Sequence, residues 1–90
     1  MEILDMVKTA MRIQHNSLDD DLTRLIEAAK LDLTESGVQA PEDGKDAVYN
    51  TAIELYVKAM TDYRGDQSFY FSRYKLIKDT LSLRKGYRIV

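Results

Sequence analysis

The sequence predicts an all-α fold, a small four-helix bundle-like domain with a central third helix and a short basic C-terminal tail. Three observations predict it. Four stretches repeat apolar residues three and four positions apart, which is the spacing of one helix face. No two stretches alternate apolar and polar residues as a pair of strands would. The single proline and the four glycines, at positions 37, 44, 65 and 86, all fall between or after those stretches.

The first helix is expected over residues 2–12, where Ile3, Leu4, Val7, Ala10 and Met11 share a face. A short extended stretch, "IQHN", follows. The second helix is written by "NSLDDDLTRLIEAAKLDLTESG". Asn16 or Ser17 is expected to cap it, by accepting from unpaired backbone N–H groups. Asp19, Asp20 and Asp21 occupy the first turn, where the helix dipole favours negative charge. Leu18, Leu22, Leu25, Ile26, Ala29 and Leu33 make one apolar stripe, and Leu31 points away from it. Gly37 suits the left-handed residue that ends a helix, because it has no Cβ to clash.

Residues 37–44, "GVQAPEDG", form the main loop. The third helix is expected from Asp46 to Arg64. On a wheel, Leu55, Val48, Ala59, Ala52, Tyr63, Tyr56, Tyr49, Met60 and Ile53 fill an arc of about 160°. So wide a face belongs to a helix that touches two or more others, so the third helix is the hub. Tyr49, Tyr56 and Tyr63 run along its midline. Their seven-residue spacing is too short-lived for a coiled coil, since the helix stops at Gly65. The fourth helix is expected over residues 67–81. Tyr70, Phe71, Tyr74, Ile77 and Leu81 form one side, and Phe69 and Leu76 a second patch nearly opposite. The expected core is Leu22, Leu25, Ile26, Ala29 and Leu33, with Val48, Tyr49, Ala52, Leu55, Tyr56, Ala59 and Tyr63, and with Tyr74 and Ile77. Residues 1–83 make one domain, and 84–90, "RKGYRIV", its tail.

Charge is unevenly placed. Residues 1–66 carry seven Lys/Arg against fourteen Asp/Glu, whereas residues 67–90 carry six Lys/Arg against one Asp. An acidic body with a basic end can attract phosphate, or the acidic body of an identical neighbour. The chain has no cysteine, so disulfides and thiolate metal sites are excluded and a reducing compartment is expected. "MEILDMVKTAMRI" mixes charged and apolar residues, unlike a signal peptide, and no apolar run approaches spanning length. The expectation is a soluble protein, made inside a cell, with no membrane partner.

Candidate chemistry is sparse. His15 is the only histidine, and nucleophilic catalysis needs a base, a nucleophile and an orienting group together. Ser17 lies two residues on, but at a helix start it reads as a cap. The carboxylates of Asp19, Asp20 and Asp21 diverge by about 100° per residue and cannot converge on one ion. No Gly-rich phosphate loop, zinc spacing or calcium-loop pattern occurs. "RGD" at 64–66 reads as a helix terminus. No enzyme, metal or cofactor is expected. "FYFSRYKLIK" interleaves aromatic and basic residues as single-strand binders do. Three of its aromatics lie on the core side, though, and the sharpest helix start is acidic. A small helical DNA-binding or regulatory protein is therefore the alternative reading.

"MVKTAMRIQHNSLDDDLTRLIEAAKLDLTESGV" resembles the opening of the head–tail connector proteins of tailed phages and prophages, with their "VK…LRI" segment, Asp-rich start and "LIEAAK" helix. "AIELYVKAMTDYRGDQSFYFSRYKLIKDTLSL" is similar to the family's second half, although positions between Met60 and Tyr70 depart from its pattern. The resemblance implies a structural, head-completion role in the virion, after assembly in the host cytoplasm. It implies a ring, commonly dodecameric, beneath the portal protein, and such rings are often monomeric in solution until the portal templates them. The ring would extend the DNA channel, pass DNA without reading its sequence, and receive the next head-completion or tail protein. Family members also carry DNA-packaging names. Under this reading, Phe69 and Leu76 against Ala28 and Leu31 are the candidate subunit interface. The tail residues Arg84, Lys85, Tyr87, Arg88, Ile89 and Val90 are the candidate docking segment for a neighbour or the portal.

Overall fold

The structure, a computed structural model, describes residues 3–38, 41, 46–61 and 65–83. Four helices account for most of them: α1, Ile3–Ala10; α2, Asp19–Glu35; α3, Ala47–Met60; and α4, Gln67–Leu83. The described residues form no β-strand beyond a single bridge residue at Val38. The protein is an all-α domain built around α3, which packs against α1, α2 and α4.

α1 and α2 end for local reasons. α1 stops short of its expected end because Arg12 takes a left-handed conformation, φ 59°. Around it, the Arg12 N–H donates to Thr9 O (3.2 Å) and the Ile13 N–H to Lys8 O (2.9 Å), the two bonds of a Schellman turn. The same turn closes α2, where Gly37 sits at φ 89°. There Gly37 donates to Thr34 O (3.0 Å) and Val38 to Leu33 O (2.9 Å). Val38 is wholly buried, which supplies the apolar contact that accompanies this motif.

The expected cap of α2 is corrected. The residue before the helix is Leu18, and no side chain caps it. Asn16 Oδ1 instead accepts from Lys8 Nζ (2.9 Å), and Ser17 Oγ pairs with His15 Nδ1 (2.7 Å). Lys8 also reaches Asp19 at 2.8 Å, so α1 and the start of α2 share one cation. The dipole at this end is met by Asp19, Asp20 and Asp21. "IQHN" forms no strand; Ile13 packs against the core, while Gln14, His15 and Asn16 are exposed.

α3 begins with a true cap: the Asp46 side chain accepts from the Tyr49 N–H at 2.8 Å. It ends at Met60 rather than Arg64, with Thr61 as its C-cap; residues 62–64, including Tyr63, lie outside the described residues. α4 continues two residues past its expected end, to Leu83.

The core joins Val7 and Met11 of the α1 segment, Leu22, Ile26, Ala29 and Leu33 of α2, and Val38 to α3 and α4. From α3 come Tyr49, Ala52, Ile53 and Val57, and from α4 Tyr74 and Leu81. Ala59 is buried as well, while Leu25, Leu55, Tyr56 and Ile77 are half-buried. Val48 is a correction, exposed at 38%. The buried arc of α3 is turned away from Val48 and toward Val57, which the wheel had left out. Leu18 and Met60, expected on core faces, also stand at helix ends in contact with water.

Candidate assembly surface

α4 has two unlike sides, and the core explains only one. Tyr74 and Leu81 are buried against the rest of the domain, and Tyr70 and Ile77 are half-buried beside them. Phe71, expected with them, is 40% exposed. It is the fifth residue of α4 and stacks on Tyr74 with centroids 6.3 Å apart, beneath Lys75 Nζ at 5.9 Å.

The opposite side carries Phe69, Leu76 and Leu83, which are 53%, 61% and 77% exposed. They are seven residues apart in turn, so they line up along the helix as one apolar stripe. The guanidinium of Arg73 lies 5.2 Å from the Phe69 ring, placing a positive charge within the stripe. Leu83 and Arg73 were not among the sequence candidates. Extending the seven-residue step from Phe69 and Leu76 by one more would have found Leu83.

On α2, Leu31 is 59% exposed and Ala28 half-buried. Leu31 is flanked four residues to either side by Glu27 and Glu35, both exposed. Phe69 and Leu76 on α4 and Leu31 on α2 thus stand exposed on different helices, with Ala28 less open than any of them. The tail residues 84–90 lie outside the described residues.

A polar clasp fixes how α4 is set against α2. The Tyr74 hydroxyl donates to Asp32 Oδ2 at 2.5 Å, and Lys78 Nζ donates to the same oxygen at 3.1 Å. Lys78 also lies over the Tyr74 ring, 5.3 Å from its centroid, and Tyr56 meets that ring edge-on at 5.2 Å. Burial pushes the Asp32 carboxyl up, but the hydrogen bonds from Tyr74 and Lys78 and the charge of Lys78 outweigh it, holding Asp32 below its ordinary value. Burial, then the bond to Asp32 and its charge, push the Tyr74 hydroxyl far above its ordinary range. Tyr49 is likewise raised, by burial and by Glu27.

His15 and Ser17 do touch, in contrast to the reading of Ser17 as a cap, but both are exposed. No carboxylate appears as an orienting partner of that ring among its described hydrogen bonds and ion pairs. No group of three or more His, Cys, Asp or Glu able to hold a metal ion occurs among the described residues. No described helix is long and apolar enough to cross a membrane. What the surface offers is an apolar stripe beside a cation and an isolated leucine between two glutamates, the chemistry of protein contact.

A family model for phage connector proteins matches residues 3–84. Neither the curated proteins nor the solved structures contain a match. The chain belongs to the phage connector protein family, a structural family of the head–tail junction.

Proposed function

We propose that this member of the phage connector family is a head-completion adaptor that forms a ring beneath the portal, extends the DNA channel and joins head to tail. The observation that carries the reading is the family match over residues 3–84. The unpartnered apolar side chains on α2 and α4 support it, because a ring subunit must present two such surfaces to its neighbours. The protein acts at the head–tail junction of the virion after assembly in the host cytoplasm. Its partners are its own copies, the portal protein and the next head-completion or tail protein. The basic tail, Arg84 to Val90, docks on a neighbour or on the portal.

Electron microscopy of the protein mixed with purified portal rings tests the reading. A new layer of density on the portal, with the portal's symmetry axis, is the expected result; bare portals at saturating protein would refute it. The pairs Arg73–Phe69 and Lys75–Phe71 favour a second reading, in which α4 stacks on nucleic acid. A ring that lets DNA slide should bind duplex weakly. Tight binding whose affinity falls steeply with salt would favour the second reading.

A further inference from the structure

We propose that the outer stripe of α4, formed by Phe69, Arg73, Leu76 and Leu83, docks head-to-tail on the glutamate-flanked Leu31 of α2 in a second copy of this chain. The pairing presupposes the connector reading and adds to it which two surfaces meet.

Both surfaces are apolar where water reaches them. Large exposed side chains in line on one helix mark a contact surface rather than a random scatter. Neither surface is satisfied within the chain, since each faces away from the core that its own helix helps to build. Charge then selects between possible occupants. The α4 stripe has Arg73, over Phe69, on one edge and Lys75 with Asp79 one turn apart on the other, leaving a net positive charge. Leu31 lies between Glu27 and Glu35, with Asp20 and Asp21 further along the exposed side; Lys30 pairs with Glu27 and Arg24 with Asp21, leaving a net negative charge. A positive apolar stripe fits a negative apolar knob, and opposite potentials fix both register and partner. A second stripe laid parallel would instead set Arg73 against its own copy.

Because the two surfaces differ, the contact is heterologous. Each copy keeps one used and one unused face, so association continues until the rotation closes. This distinguishes it from a two-fold pairing of α4 with α4.

Complementary variants test the assignment. Leu31→Asp removes only the α2 face and Leu76→Asp only the α4 face. Both positions are solvent-exposed, so each variant should melt like the wild type. Sedimentation at millimolar protein is expected to give multimers for the wild type and monomers for each variant alone. An equimolar mixture should give dimers and nothing larger, since only one intact contact can form. Added salt should weaken the wild-type multimers.

The pairing is overturned if Leu31→Asp still self-associates, which would indicate an α4–α4 contact. It is equally overturned if the wild type stays monomeric at that concentration, or if the mixture stays monomeric while the wild type associates. Failure of the pairing is separable from failure of the connector reading. A wild type that decorates portal rings while the variants decorate them equally well loses the pairing and keeps the connector.

Discussion

Replacing Tyr74 by Phe removes a single oxygen from the junction of α4 with α2 and leaves every apolar contact of the ring in place. Tyr74 is wholly buried, and its hydroxyl donates to Asp32 Oδ2 at 2.5 Å. A hydrogen bond to a charged group contributes about 1.5–3 kcal/mol. Here the acceptor is not stranded by the change, because the Asp32 side chain is 38% exposed and Lys78 remains 3.1 Å away. Solvent and the lysine therefore offset part of the loss, and Tyr74→Phe should cost about 1–2 kcal/mol. Asp32→Ala should cost more, because it leaves the buried hydroxyl without its acceptor. The double variant should then be less unstable than the two costs added, with a coupling of about 1 kcal/mol. Urea titration followed by circular dichroism measures all three, with an unchanged dependence on denaturant as the sign that only stability moved. A cost for Tyr74→Phe below about 0.5 kcal/mol, or strict additivity, would refute the clasp as a stabilising element.

The same pair fixes the pH dependence. The folded pKa of Asp32 is depressed below 3.8, so its contribution is present above that pH and lost as pH falls through the folded value. Tyr74 is raised from 10.0, so its contribution is present below pH 10 and lost as pH rises beyond it. The gap between wild type and Tyr74→Phe should therefore be widest from about pH 4 to pH 10 and narrow on both sides.

Other substitutions probe the helix ends. Arg12→Gly should stabilise the protein by about 0.5–1 kcal/mol, because relief of a left-handed arginine exceeds the entropy cost of glycine; a lowered melting temperature would contradict this. Gly37→Ala should destabilise by about 1 kcal/mol, purely through the backbone, since a Cβ there meets nothing within 4 Å. Asp46→Ala should cost about 1 kcal/mol by removing the cap on α3, seen as faster amide exchange of Tyr49.

The helices were legible because period is a local property. Leu22, Ile26, Ala29 and Leu33 recur at helical spacing, and all four are buried. What covers a face is not local. The arc drawn for α3 gave weight to the string of tyrosines and to Val48, whereas the neighbours cover Val57 and leave Val48 in water. The cap of α2 was misread because Lys8, from another helix, takes Asn16. The left-handed turn at Arg12 carried no glycine to announce it. Of the candidate surface, Phe69, Leu76 and Leu31 were legible as apolar residues on the wrong side of their helices. Arg73's place over Phe69 and the Tyr74–Asp32 bond required the fold itself, since the latter spans 42 residues.

That span has a kinetic consequence. α3 and α4 are adjacent in sequence and pack extensively, so their hairpin can form early from nearby contacts. The clasp must wait until α2 is also in place, because it joins positions 42 residues apart. Until then α4 is set against α2 only through their common packing on α3. A nascent or partly folded chain thus lacks the α2–α4 register that the Tyr74–Asp32 bond supplies. On the proposed pairing, closure of the clasp would confine assembly to finished subunits.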